Sequence, residues 1–213
     1  MPEIIGEQAA RDFVMARGDE ASIDLLDRWV GQLRAENERQ NLISNSTVET
    51  VWLRHIADSA QIINFVPRET SGPWVDFGSG AGFPGIVLAV LRPNQRVVLI
   101  ESRKRRIEWL EETIEQLGLT NCELKRADAR GVPSFGAGLI TARAFAPLNK
   151  IVEIAARFST PGTRWVLPKG RNAAQEVSML PPSVAKMFHV EPSLTSAEAG
   201  IVIGAGQAVG GPL

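Results

Sequence analysis

Several features that would assign a class at once are scarce in this sequence. There is one cysteine, Cys122, in 213 residues, so neither an internal disulfide framework nor a cysteine-built zinc cluster can form. A lone thiol suits a reducing compartment. No sign of charge dominates: 23 Lys and Arg stand against 24 Asp and Glu, for a formal net charge of −1. No global basic field therefore draws in nucleic acid, and a polyanion must be held by a local patch. Long apolar runs are missing too. The longest, Ile86 to Leu91, is far too short to span a bilayer. The opening residues Met1 to Glu7 lack a basic stretch followed by an apolar one, so no secretory signal is expected. These absences lead us to expect a cytoplasmic chain with no membrane partner. The remainder, 44% apolar and 22% charged, is ordinary globular usage and enough for one sizeable core.

Residues 3–66 read as helical. Ile23, Leu26, Val30 and Leu33 recur at three- and four-residue spacing, and Ser22 or Asp24 can begin that helix. Val48, Val51, Trp52, Ile56, Ala60 and Ile63 form a second stripe, with Ser46 or Thr47 as its cap and Pro67 as its end. No Gly/Ser-rich linker follows, so this region should pack on what comes next. The period then changes. Trp74 to Phe77, Val97 to Ile100, Glu123 to Lys125, Leu139 to Ala142 and Arg164 to Leu167 read as strands, with helices between them. Strand–helix alternation predicts an α/β fold with a mostly parallel, doubly wound, Rossmann-like sheet behind N-terminal helices. Val184 to Val190 and Gly200 to Gly204 read as two late strands of a terminal hairpin. The expected organisation is a helical region at 1–66, a main domain at 67–204 and a flexible, glycine-rich tail at 205–213.

Chemistry concentrates where the first strand meets its helix, at Asp76-Phe77-Gly78-Ser79-Gly80-Ala81-Gly82. Glycine permits a tight turn and close approach of a ligand. The helix start that follows offers free N–H groups. The spacing is not the dinucleotide Gly-x-Gly-x-x-Gly, and no Gly-Lys-Ser/Thr follows as in a P-loop. It suits a ligand without phosphate, and we expect S-adenosylmethionine, held by Asp76, Gly78, Gly80 and Gly82. The competing reading is a ligand-free glycine turn. Glu101 ends the second strand and can accept from ribose hydroxyls, or else pair with Arg103 or Lys104. Asp128 follows the third strand, either to meet an adenine amino group or to build a turn.

On the acceptor side, Cys122 is misplaced for a pyrimidine-C5 nucleophile. Where exocyclic amine methylation often places Asn/Asp-Pro-Pro-aromatic, this chain has Thr141-Ala142-Arg143-Ala144-Phe145-Ala146-Pro147. An arginine there points to an acceptor that needs no base, and purine N7, with its exposed lone pair, fits. A structural ion pair is the other reading of Arg143. The run Arg103-Lys104-Arg105-Arg106 either holds phosphates or is a solvated helix start. Lys169 and Arg171 follow the fifth strand, on the edge where open α/β sheets bind ligands. His55 is either a functional group or a satisfied core histidine. Trp52, Phe83 and Phe145 are stacking surfaces or core residues. No metal site is expected.

At these residues the chain resembles the RsmG family, also called glucose-inhibited division protein B, across roughly residues 20–185. The resemblance rests on Gln40 to Ser44, Arg54 to Ser59, Asp76 to Gly85, Thr141 to Leu148 and Leu167 to Gly170, in that order. It implies a class I methyltransferase acting on guanine N7 in bacterial 16S ribosomal RNA or the small-subunit particle, as a monomer. It also implies cofactor contacts at Gly78, Phe83, Ala127, Asp128 and Arg143, with Glu101 at the ribose position. Arg54, His55 and Lys169 then lie near RNA or the reacting atoms, and Arg143, Lys169 and His55 become the catalytic candidates. Phosphate contacts are expected from Arg54, Arg103, Lys104, Arg105, Arg106, Lys169 and Arg171. The chain departs from the family at its end, where Gly200 to Leu213 carries no basic residue. Rival readings are a methyltransferase for a small molecule or protein, and a non-catalytic cofactor-sensing or ribosome-binding module.

Overall fold

The computed structural model describes residues 3–208. Its centre is a seven-stranded sheet of β1 (Trp74–Phe77), β2 (Val97–Glu101), β3 (Cys122–Arg126), β4 (Leu139–Thr141), β5 (Arg164–Lys169), β6 (Phe188–Pro192) and β7 (Gly200–Ala205). The order is β3-β2-β1-β4-β5-β7-β6. β1 to β5 run parallel, and β7 is antiparallel to both β5 and β6. This is the mostly parallel, doubly wound, Rossmann-like sheet that strand–helix alternation predicts, with an antiparallel pair added at one edge.

The continuous apolar strands have a simple cause. Trp74, Val97, Leu99, Val166, Ile201 and Ile203 enter one core, while Val75, Phe77, Val98, Ile100, Trp165 and Val202 enter the other. Alternate residues leave opposite faces of a strand, so a sheet covered on both sides needs both sets apolar. The first core is shared with α1 (Gly6–Met15), α2 (Glu20–Gln40), α4 (Gly85–Leu91) and α5 (Lys104–Gln116). The second lies under α6 (Leu148–Ala155), α7 (Ala173–Ser178) and α8 (Pro182–Ala185).

Four local expectations need correction. α2 starts at Glu20, with Asp19 as its cap accepting from Ser22 N–H, because the carboxylate at 19 reaches the free donors one turn earlier than Ser22 or Asp24 could. The 48–63 stripe is not one regular helix. Asn45–Thr47 is a 3-10 turn, Trp52–Ala57 is wound as a π-helix, α3 (Asp58–Ala60) is brief, and Gln61–Phe65 is 3-10. Glu7 of α1 accepts from Trp52 and Leu53 N–H and secures the start of the π turn. Val184 belongs to α8 and not to a strand, since Pro181 O accepts from Val184 and Ala185 N–H. The expected tail starts too early: Ala205 continues β7, and buried Ala208 donates its N–H to Ser159 Oγ. The rest of that tail, 209–213, lies outside the described residues.

Candidate active site

The glycine loop leaves β1 at the carboxyl edge of the sheet, where open α/β folds bind ligands. Gly78 and Ser79 N–H both donate to Ile100 O, which fixes the loop over β2. Gly78, Gly80 and Gly82 have φ of 68°, 57° and 108°, the left-handed region that disfavours any Cβ. They do different work. Gly78 and Gly80 line cavities, whereas a Cβ on Gly82 would meet Ile86 and Trp29 at 2.8 and 2.9 Å, so Gly82 faces the core. Asp76 lies beneath the loop and lines neither cavity. Its Oδ2 accepts from Gly85 N–H, the Ser79 hydroxyl donates to its main-chain O, and burial pushes its carboxyl up to about 7.

One cavity, of about 250 Å³, is lined by Gly78, Ile100, Glu101, Ala127, Asp128 and Phe145 among others. Burial would raise the Glu101 carboxyl, but hydrogen bonds from Arg103 and Gly80 overcome that and hold it below the usual range. Glu101 is thus a charged acceptor in a nearly closed setting. Asp128 lines the same space and also builds a turn, accepting from Arg130 N–H. Two carboxylates beside a side-chain-free glycine fit the hydroxyl and amino donors of an adenosine, and a Cβ at 78 would meet the Phe145 ring that lines the same space.

The second cavity, of about 990 Å³, adjoins the first and shares Gly78, Arg103, Ala144 and Phe145 with it. Arg143 organises its wall. One Nη donates to Arg54 O and to Asp58 Oδ2, both at 3.3 Å, and the other lies 3.0 Å from His55 Nδ1. Because arginine only donates, His55 Nδ1 is the acceptor and Nε2 carries the proton. His55 Nε2 then donates to Thr47 Oγ1 at 2.8 Å, and the Thr47 hydroxyl donates to Ser44 O. Burial, with Arg143 and Arg54 alongside, lowers His55 to about 3, so the ring is neutral. His55 stacks on Phe83, and the Arg143 guanidinium lies 4.8 Å from that ring's centre. Phe83 is therefore a platform for these two residues. Asp58 Oδ1 accepts from Gln61 Nε2 and from Thr195 Oγ1, which belongs to the β6–β7 connection.

Other expected site residues fall elsewhere. Lys169 is nearly buried and its Nζ donates to Ala146 O and Glu176 Oε2, while that same carboxylate accepts from Leu148 N–H. It anchors the loop behind Arg143. Arg105 donates to Arg39 O, and Arg106 to Gln40 and Asn41 O, so both tie down the C-terminus of α2. Lys104 is exposed, with Glu108 3.9 Å away. Arg171 pairs with Glu198 on the surface, outside both cavities. Arg54 lines the larger cavity and donates to Thr195 O. Trp52 is core. Thr195, Gln61 and Glu176 were not legible as site residues, because their partners lie far off in sequence and no local motif marks them.

Comparison with known proteins agrees with this geometry. The family model GidB, described as rRNA small subunit methyltransferase G, matches residues 22–200. The chain is 50% identical over 205 residues to the ribosomal RNA small subunit methyltransferase G of Erythrobacter litoralis, covering 96% of this chain and 99% of that one. It is 50% identical over 188 residues to the protein of the same name from Novosphingobium aromaticivorans, covering 87% and 81%. Among solved structures, a SAM dependent methyltransferase from Aquifex aeolicus superposes with a TM-score of 0.57 at 14% identity, over 79% of this chain and 96% of that one. An RNA methyltransferase from Salinibacter ruber, in complex with S-adenosyl-L-homocysteine, gives 0.51 at 15% identity, over 71% and 91%. The last two are likenesses of fold alone. By its ordered motifs, its glycine-loop site and these relatives, the chain belongs to the rRNA small subunit methyltransferase G family.

Proposed function

We propose that the protein transfers a methyl group from S-adenosylmethionine to N7 of one guanosine in 16S ribosomal RNA. The observation that carries the acceptor assignment is the state of the bases in the larger cavity. His55 is neutral with its only lone pair turned to Arg143, and Asp58 and Glu176 are engaged in ion pairs with Arg143 and Lys169. Among the described residues lining that cavity the histidine lone pair is taken and the carboxylates are ion-paired, which favours an acceptor that is already nucleophilic. Guanine N7 is, since its lone pair lies on the exposed major-groove edge.

When bound, the cofactor supplies an electrophilic methyl on a sulfonium. The residues of this chain position and shield. Gly78 and Gly80 admit the cofactor backbone-close, Glu101 takes the ribose hydroxyls, and Ala127 and Asp128 flank the adenine. Arg143, held between His55 and Asp58, orients the acceptor against the methyl group, and good alignment alone supplies a large part of such a rate enhancement. Lys169 and His55 are positioning residues for Arg143 and its loop. Arg54 and Lys104 meet RNA phosphates. The target guanosine lies in an open loop or is turned out of its stack, because N7 must reach a walled cavity.

The reading extends to a monomer working in the cytoplasm on 16S RNA or the small-subunit particle, with residues 1–66 as a helical region packed on the core and 67–204 as the S-adenosylmethionine-binding domain. Among the described residues, no helix is long and apolar enough to cross a membrane. The test is mass mapping of 16S RNA from cells lacking this protein. Loss of one 7-methylguanosine is expected, and an unchanged content removes the assignment.

A further inference from the structure

Arg103 connects the two cavities, and its present bonds set up a conflict. Glu101 Oε1 accepts from Ser102 N–H at 2.8 Å, Arg103 N–H at 2.9 Å and Arg103 Nε at 3.1 Å. Its Oε2 accepts from Gly80 N–H at 2.9 Å and from Arg103 Nη2 at 3.0 Å. A carboxylate offers about four lone-pair sites, and five donors already share them. Two ribose hydroxyls cannot be added without removing donors. The three backbone donors are fixed by the fold. The guanidinium is not: Arg103 is 63% exposed, whereas Glu101 is 3% exposed. The side chain that yields is therefore Arg103.

We infer that Arg103 is an exchange residue, held on Glu101 in the cofactor-free protein and released to an RNA phosphate when the cofactor's ribose takes its place. The inference rests on the proposed RNA substrate and adds an order to its binding. Released, the guanidinium stands at the rim shared by both cavities, beside Arg106, which is already committed to the α2 C-terminus. A cation that has lost its carboxylate needs another anion, and the phosphodiester backbone of the substrate supplies one. Cofactor binding then adds one phosphate contact, and departure of the spent cofactor withdraws it. Coupling of this kind is reciprocal: whatever factor the cofactor adds to RNA affinity, RNA adds to cofactor affinity.

The experiment measures binding, not turnover. Small-subunit RNA from cells lacking the protein is titrated with the full chain, with and without saturating S-adenosylhomocysteine, at several salt concentrations. The wild type is expected to bind RNA roughly two- to five-fold tighter with S-adenosylhomocysteine, the range of a partly exposed ion pair. Its logarithmic salt slope should steepen by about one. Arg103→Met keeps the stem and removes the charge. It is expected to bind S-adenosylhomocysteine more tightly than wild type in the absence of RNA, and to bind RNA equally with or without it. Weaker S-adenosylhomocysteine binding by Arg103→Met, or coupling that survives in the variant, overturns the exchange. RNA binding by the wild type that ignores S-adenosylhomocysteine removes the exchange and leaves the substrate reading standing. Absence of RNA binding in both states removes both.

Discussion

The two halves of the site, proposed above for cofactor and acceptor, are made of different material. The cofactor half is mostly backbone: a glycine loop stitched to β2, with one carboxylate at the end of that strand. Nearly all of it comes from one continuous stretch, Asp76 to Glu101, completed by Ala127 and Asp128. The acceptor half is mostly side chains drawn from three distant segments. Arg143, on the loop after β4, meets Arg54 and His55 on the π-wound segment and Asp58 at the start of α3, and Arg54 and Asp58 meet Thr195 after β6. A backbone-built site has little room for any added atom. A side-chain-built site tolerates change in size but not loss of a partner, because each buried polar group depends on the next.

Gly78→Ala tests the first statement and should give the largest effect. Its φ of 68° penalises any Cβ, and the added methyl would sit 2.2 Å from the Phe145 ring. Left-handed strain and overpacking together should weaken S-adenosylhomocysteine binding roughly a hundredfold. Calorimetry reads this directly. Binding within a few fold of wild type would mean that the loop is not the cofactor site.

Arg143→Lys tests the second. Lysine keeps the charge but has no planar fork to serve His55, Asp58 and Arg54 O together. We expect kcat to fall about a hundredfold, the penalty of poor alignment. Single-turnover methylation of small-subunit RNA, compared with S-adenosylhomocysteine affinity, separates the two halves. A variant that loses cofactor affinity in the same proportion would place Arg143 in the cofactor half.

The halves should also respond to pH with opposite sign. His55 titrates near 3 in the folded chain against an ordinary 6.5. Between those values the unfolded chain holds the extra proton, so this contribution to stability is lost as pH falls. Asp76 titrates near 7 against an ordinary 3.8. There the folded chain holds the extra proton, and the contribution is lost as pH rises. Between 3.8 and 6.5 the two oppose each other. Relative to wild type, His55→Gln should make stability fall with rising pH across that window, and Asp76→Asn should make it rise, each by about 1 kcal/mol per pH unit. Urea midpoints measured across the window decide it, and parallel curves for all three proteins would mean that neither group is buried as described.

Lys169→Met should act on stability and on loop order, not on phosphate. Two charge-assisted bonds, to Ala146 O and Glu176, hold the Arg143 loop from behind. Their loss should cost about 2 kcal/mol. The salt dependence of RNA binding should stay as it was, and a slope shallower by about one would restore Lys169 to the phosphate contacts.

The same contrast explains what could be read from the sequence. The parallel strands, the glycine loop and the positions of Glu101 and Asp128 at strand ends were legible because each is set by local spacing and by alternation between two covered faces; the order of the strands was not, because it depends on crossovers that local spacing does not fix. Even there, Asp76 and Gly82 carry the loop motif but support it from beneath. The acceptor side was legible only in part. Arg143 and His55 stand out by residue type, yet their partnership spans 88 positions. Gln61, fully buried, bonds to Asp58, Ser193 and Thr195, and none of these marks itself as a site residue in isolation. The π turn at Trp52–Ala57 was hidden for another reason: its apolar spacing is compatible with an ordinary helix, and the wider winding depends on tertiary partners such as Glu7.

The basic run after β2 shows how far a charge pattern can mislead when read as one unit, and it yields the smallest effect. Arg103, Lys104, Arg105 and Arg106 look equivalent in sequence, but three of the four have partners inside the protein. Lys104, 89% exposed on its side chain, has only a distant Glu108. Lys104→Ala should therefore leave stability within about 0.5 kcal/mol, as surface changes usually do. It should weaken RNA binding only by flattening the salt slope by about one. Arg106→Ala should do the reverse, lowering stability by about 1 kcal/mol through loss of its bonds at the α2 C-terminus, with little change in slope. If both variants flattened the slope equally, the run would act as one patch, and the bonds of Arg106 to α2 would have to open when RNA binds.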